Sequence, residues 1–103
     1  MMSRTNPAAF QRYVKEHQRC LGVAVYEART EKGLSLEELA KRAKMSTRWL
    51  KKYEANQIHT NYSIGRLDRI AQALGADLVD IYSRAGELTG PPPWITREVP
   101  NER

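Results

Sequence analysis

Residues 33–56 read GLSLEELAKRAKMSTRWLKKYEAN, and this stretch decides how the chain folds. Ser35 followed by Glu38 forms a capping box, which predicts that a helix begins here. Apolar residues then recur at helical spacing as far as Ala43, and Ser46 offers a second N-cap. The stretch therefore predicts two short helices joined by a tight turn.

The second of these helices has an uneven charge distribution. Leu50, Tyr53 and Glu54 share one face, and basic residues occupy the opposite one. Across the whole stretch, six Lys or Arg residues, three of them in the second helix, and no Asp or Glu stand between Leu39 and Tyr53. Solvated helices usually mix both signs through i,i+4 pairs, so this face favours a polyanion such as DNA, whose major groove admits one helix. The alternative is a helical hairpin whose basic face is only solvated.

The stretch resembles the helix-turn-helix of the lambda-repressor-like family of DNA-binding regulators, also called Cro/cI or XRE. The resemblance spans roughly residues 21–82 and implies an all-α, five-helix domain. Two positions depart from the family: Leu36 replaces a Gln that often contacts phosphate, and Asn56 replaces a Gly at a helix C-cap. The matching residues are Leu34, Ser35, Glu38, Leu39, Ala40, Met45, Ser46, Leu50, Tyr53, Glu54 and the block 70–76.

The resemblance also implies roles for individual residues. Base contacts are expected from Thr47, Arg48, Lys51 and Lys52 at the start of the recognition helix, with phosphate contact alone as the alternative. Backbone contacts are expected from Ser35, Lys44, Ser46, Asn56, His59 and Tyr62, although capping alone explains the two serines. An ion pair between Arg29 and Glu54 is expected to join the first helix to the recognition helix.

The region before residue 33 predicts additional helix. Asn6-Pro7 is a helix-start signal, and Gly33 marks a helix end. Apolar residues between them repeat at three and four, which predicts one helix or two helices broken near residues 20–22. Residues 1–20 form an N-terminal extension that must dock on this domain or on a second subunit. The expected dimer contacts are Phe10, Tyr13, Val14 and, from the C-terminal tail, Trp94.

Two further helices are expected in the C-terminal half. Ser63 and Asp77 are their predicted caps. The DNA-binding domain is expected to occupy residues 21–88, and residues 89–103 form a Pro-rich tail that favours polyproline II. The expected inward positions are Ile64, Leu67, Ile70, Ala71 and Leu74 in the first of these helices, and Leu78, Ile81, Tyr82 and Ala85 in the second.

Composition limits the remaining classes of function. The chain has 103 residues, a net charge of +5 and one cysteine, so one domain is expected and an intramolecular disulfide is excluded. Residues 1–33 and 34–56 each carry six basic and three acidic side chains, whereas residues 57–103 carry five and six. Neither a transmembrane run nor a signal peptide is visible, so no membrane association and a cytoplasmic location are expected.

No enzyme signature stands out in the sequence. His17 and Cys20 are three residues apart, but a metal would need more ligands than the sequence groups there. Glycine-rich phosphate loops and supported Ser/His/Asp sets are not found. We therefore expect neither a metal, a cofactor nor catalysis.

The sequence as a whole predicts a transcriptional regulator that binds double-stranded DNA sequence-specifically. We expect it to act as a homodimer on a palindromic operator, with half-sites about one helical turn apart. The alternative is an antitoxin-like protein-interaction module, which masks a partner protein and binds DNA secondarily. An exposed apolar surface around Phe10 or Trp94 would mark that alternative.

Overall fold

The structure is a computed structural model that describes residues 7–58 and 64–92, and these residues form five α-helices. In the described part of the chain there is no β-strand, so the predicted all-α, five-helix class is confirmed. Ser63 and the tail beyond residue 92 lie outside the described residues. The helices are α1 (Pro7–Glu31), α2 (Leu36–Ala43), α3 (Thr47–Glu54), α4 (Ile64–Ala73) and α5 (Leu78–Thr89).

Helix α1 is one continuous helix of 25 residues, and the alternative of two helices broken near residues 20–22 is wrong. Pro7 occupies its first position, where the missing N–H of proline costs nothing. Gly22 lies inside the helix, where it permits a close approach to α3 rather than a break. After the helix ends, Gly33 takes a left-handed φ of 71° and turns the chain towards α2.

Helices α2 and α3 form the predicted pair joined by a tight turn. The Ser35 hydroxyl accepts from the Glu38 N–H at 3.0 Å, and the Glu38 carboxylate accepts from the Ser35 N–H at 2.8 Å. Lys44 ends α2 in the left-handed region at φ 58°. Ser46 then caps α3 by accepting from the Trp49 N–H at 2.9 Å. Both predicted N-caps in this stretch are confirmed.

The hydrophobic core lies where all five helices meet. Leu39, Leu50 and Leu67 from three different helices are fully buried in it. Ile64 was expected among them, but 61% of its surface is exposed, so that assignment is wrong. As the first residue of α4, Ile64 lies at the helix end rather than along the buried stripe that Leu67, Ile70 and Ala71 form.

Helix α5 begins and packs as the sequence predicts. Asp77 caps it through a capping box, accepting from the Asp80 N–H at 3.0 Å. Ile81 and Ala85 are buried, while Leu78 and Tyr82 are partly buried against the core. Among residues 7–58 and 64–92, none of the helices combines the length and apolar character needed to cross a membrane.

The N-terminal part of α1 docks on α5 of its own chain. The His17 ring stacks on the Tyr82 ring with 6.1 Å between centroids and 12° between planes. Near the other end of α1, Arg84 Nη1 lies 2.8 Å from Glu31 and 3.3 Å from Glu27. The extension therefore buries part of its apolar face within this domain.

Candidate nucleic-acid interface

A buried ion pair attaches α3 to α1. The Nε and Nη2 atoms of Arg29 donate to the two carboxylate oxygens of Glu54 at 2.8 and 2.9 Å, and Nη1 donates to the Leu34 carbonyl at 2.9 Å. Only 11% and 8% of the two charged side chains are exposed. The hydrogen bond to Glu54 raises the pKa of Arg29 above its ordinary value. The predicted pairing of these residues is therefore present, in bidentate geometry.

A second contact between α1 and α3 depends on the absence of a side chain. A Cβ placed on Gly22 would lie 2.5 Å from the Tyr53 carbonyl oxygen and 3.4 Å from the Glu54 Cα. The first distance is shorter than real contacts allow, so the two backbones meet this closely only because residue 22 is glycine. Gly22 and Arg29 are about two helical turns apart on α1, so α3 is held at two points.

With its inner face fixed, α3 presents a basic outer face. Leu50 is fully buried, whereas Arg48 and Lys51 are exposed and Lys52 and Thr47 are half-buried. In the described ranges, no carboxylate lies within 4.0 Å of the charged nitrogens of these three basic residues. Within the described residues, their positive charges are therefore not neutralised by an ion pair.

The two cap serines already use their hydroxyl oxygens. Ser35 and Ser46 each accept a hydrogen bond from a backbone N–H of the helix that they cap. A hydroxyl also carries a proton, so each serine retains one donor that capping does not use. Leu36, which replaces the family's glutamine, is partly buried against the core and has no polar atom to offer a phosphate.

Two residues beside α3 adopt the left-handed conformation. Asn56 follows α3 with φ 59°, so the expectation that asparagine serves in place of glycine is confirmed. Lys44, in the turn before α3, is exposed and lines a cleft between α2 and α4 together with Arg42 and Arg69. His59 and Tyr62, which were expected to contact the DNA backbone, lie outside the described residues.

The family assignment rests on a match that extends beyond the helix-turn-helix. A family model described as helix-turn-helix matches residues 25–81, from the last third of α1 to α5, which is more than half of the chain. The chain belongs to the Cro/cI-like (XRE) helix-turn-helix family. No curated protein matches it significantly.

Two solved structures of the clp gene regulator ClgR from Corynebacterium glutamicum are similar to this XRE protein. One is 29% identical, covers 71% of this chain and 76% of its own, and has a TM-score of 0.66. The other is 28% identical, covers 72% and 94%, and has a TM-score of 0.65. The family and these neighbours are DNA-binding regulators rather than enzymes, and they show that this chain is a DNA-binding transcriptional regulator.

The recognition helix of this XRE protein carries an aromatic contact that sequence analysis missed. The Trp49 and Tyr53 rings stack with 5.1 Å between centroids and 9° between planes. The guanidinium carbon of Arg66, from α4, lies 4.8 Å from the centroid of the Trp49 ring. The i,i+4 spacing of the two aromatic residues could have revealed the first contact. Because Arg66 comes from another helix, no local pattern pairs it with Trp49.

The residues expected at a dimer interface have different surroundings. Phe10 is 47% exposed near the start of α1, whereas Tyr13 and Val14 are half-buried. The Tyr13 ring stacks on His17 at 6.0 Å, so part of this surface is covered within the chain. Trp94 lies outside the described residues.

Among the described residues, His17 and Cys20 do not belong to a larger group of possible metal ligands. The Cys20 thiol is buried and donates to the Glu16 carboxylate at 3.7 Å, and the His17 ring lies between tyrosine rings. In the part of the chain that the structure describes, no three His, Cys, Asp or Glu side chains lie close enough together to hold a metal ion.

Proposed function

We propose that this regulator binds a palindromic DNA operator sequence-specifically as a homodimer. The observation that carries the proposal is the basic outer face of α3, whose charges lack partners within the described residues while its inner face is fixed to α1. A polyanion neutralises such a face, and the major groove accepts a helix of this diameter. Fixing the helix in advance lowers the entropy lost on binding.

In this proposal the first turns of α3 read the bases. Arg48 is exposed and offers a planar fork that matches the O6 and N7 atoms of guanine. Thr47, at the first position of α3, offers its methyl group to thymine. Lys51 and Lys52 follow one turn later and contact bases or neighbouring phosphates.

Phosphate contacts are assigned to the residues around α3. The N-termini of α2 and α3 present backbone N–H groups and a positive dipole end, and Ser35 and Ser46 add hydroxyl donors. Lys44 and Asn56 lie at the two ends of α3 in exposed turns. His59 and Tyr62 are also assigned to phosphate contacts, on the basis of the sequence alone.

The homodimer is proposed to form through the N-terminal extension. Phe10 is a large apolar residue left 47% exposed beside Tyr13 and Val14, and Trp94 from the tail is the second candidate contact. A two-fold axis through this surface would bring two copies of α1 together in the commonest kind of symmetric interface. We expect Phe10→Asp to convert the dimer to a monomer in sedimentation experiments. Gln11→Asp, an equally charged change at the next exposed position, should leave the dimer intact.

A gel-shift experiment with genomic fragments tests the function itself. We expect the purified protein, without any partner, to retain a specific fragment in the presence of excess competitor DNA. The antitoxin-like alternative requires a partner protein for tight binding, and retention of fragments only after a partner is added would support it. We also propose a cytoplasmic location, because the protein would reach its DNA operators there.

A further inference from the structure

The Trp49–Arg66 contact adds a cation to the interface beyond those already assigned to DNA. Trp49 lies in the first turn of α3, next to Arg48, and its backbone N–H is the one that Ser46 caps. Arg66 is exposed on α4, and its guanidinium carbon lies 4.8 Å from the centroid of the indole ring. The contact therefore places a cation from α4 beside the end of α3 that is proposed to enter the major groove.

We propose that Arg66 contacts the DNA backbone and that Trp49 is the positioning residue that holds it there. This inference rests on the proposed function, because it extends the same DNA-binding surface from α3 to α4. The ligand is a phosphodiester group in the strand that borders the groove. The contact is independent of sequence, since phosphates carry no base identity.

The contact with Trp49 leaves N–H donors of Arg66 available to an anion. A guanidinium carries five N–H donors, more than a contact with one aromatic ring can use. In the described ranges, no carboxylate lies within 4.0 Å of its guanidinium nitrogens. Asp68, two residues on, accepts instead from the Gln72 amide at 2.9 Å. The donors of Arg66 are thus available to phosphate oxygens.

Trp49 itself is held in place from the core. Its ring is half-buried and stacks on Tyr53, which is buried below it. Contact with a ring that Tyr53 holds in place restricts the long Arg66 side chain before DNA arrives. Such pre-ordering lowers the entropy that the contact would otherwise lose on binding.

Binding titrations of the full chain on two duplexes test the inference. One duplex is a site selected from a random pool, and the other has the same length and an unrelated sequence. We expect Arg66→Ala to weaken binding to both duplexes about tenfold, the effect of losing a hydrogen bond to a charged group. The slope of log affinity against log salt should fall by about one for each bound subunit. Arg66→Lys keeps the charge but loses the planar fork, so its affinity for both duplexes should lie between those of wild type and Arg66→Ala.

Arg12→Ala is the matched control for loss of charge. Arg12 is exposed on α1, and ten residues separate it from the point where α1 meets α3, about 15 Å along the helix. This variant should retain the wild-type salt slope. Trp49→Phe should bind nearly as tightly as wild type, since it keeps an aromatic face, whereas Trp49→Leu should weaken both duplexes. Combining Trp49→Leu with Arg66→Ala should add little to Arg66→Ala alone.

The outcomes separate the two claims. Wild-type affinity and salt slope in Arg66→Ala would overturn the inference while leaving the proposed function intact. A loss confined to the selected duplex would make Arg66 a base contact and overturn its backbone role. Fully additive losses in the double variant would remove the positioning role of Trp49. If the wild-type chain binds neither duplex, both claims fail together.

Discussion

Removal of the Glu54 carboxylate tests how α3 is held. In a Glu54→Ala variant, the Arg29 guanidinium keeps one of its three hydrogen bonds, the one to the Leu34 carbonyl at 2.9 Å. Breaking a buried pair by removing one partner costs about 3–5 kcal/mol, because the other charge stays uncompensated. Since 11% of the Arg29 side chain remains exposed to water, we expect a loss near the lower end, about 3 kcal/mol.

Thermal and urea unfolding measure this loss directly. A domain of this size loses about 4–8 °C in Tm for each kcal/mol, so Tm should fall by at least about 12 °C. The matched control is Glu31→Ala, which removes another carboxylate paired with an arginine of a different helix. That carboxylate is 60% exposed, so its removal should lower Tm only slightly, because solvent screens exposed ion pairs.

The paired substitution Arg29→Met with Glu54→Leu sharpens the test. It removes both charges and leaves apolar groups of similar volume, which is often neutral or stabilising at buried pairs. A Glu54→Ala variant whose Tm is no lower than that of Glu31→Ala would show that the buried pair does not hold α3. A double variant as unstable as Glu54→Ala would also contradict the prediction, because the stranded charge would then not be the cause of the loss.

Three further predictions concern base readout, helix packing and pH. Arg48→Ala should cost about 1–3 kcal/mol on the best operator and flatten the preference at one base pair; selection from a random pool measures this, and equal loss on all sequences would contradict it. Gly22→Ala should lower the free energy of unfolding by about 1–3 kcal/mol, because the added Cβ clashes with α3. Gly86→Ala, whose Cβ would meet nothing within 4 Å, should raise the free energy of unfolding by up to about 1 kcal/mol. Equal urea midpoints for the two variants would contradict this prediction. Burial lowers the pKa of His17 below 6.5, so the unfolded chain takes up the proton first and stability should fall as pH drops below about 6.5. In a His59→Gln background, His17→Gln should remove this fall in stability. An unchanged profile of stability against pH would show that His17 is not its cause.

Local patterns in the sequence predicted the helix starts because a capping box acts within four residues. Ser35 with Glu38 and the capping role of Asp77 could be recognised from spacing alone, and the structure contains both boxes. The pairing of Arg29 with Glu54 joins residues 25 positions apart. Only the family resemblance could supply it, because no local rule connects such distant residues.

Other features escaped sequence analysis because they depend on how helices meet. Gly22 suggested a break in α1, but the structure uses it where α1 crosses α3, which helical periodicity cannot show. Ile64 fits the apolar spacing of α4 yet lies at an exposed helix end. The Trp49–Arg66 contact needs the relative placement of α3 and α4. Which residues of the interface meet DNA remains a prediction.

The continuity of α1 links the proposed dimer contact to the recognition helix. Phe10 lies at one end of a single helix, and Gly22 and Arg29, which hold α3, lie further along it. Twelve residues of helix place Phe10 about 18 Å from the crossing with α3. A helix without a break transmits the position of one end to the other, because its backbone hydrogen bonds resist bending. An interface at Phe10 would therefore fix the distance between two copies of α3, and this distance must match half-sites about one turn of DNA apart.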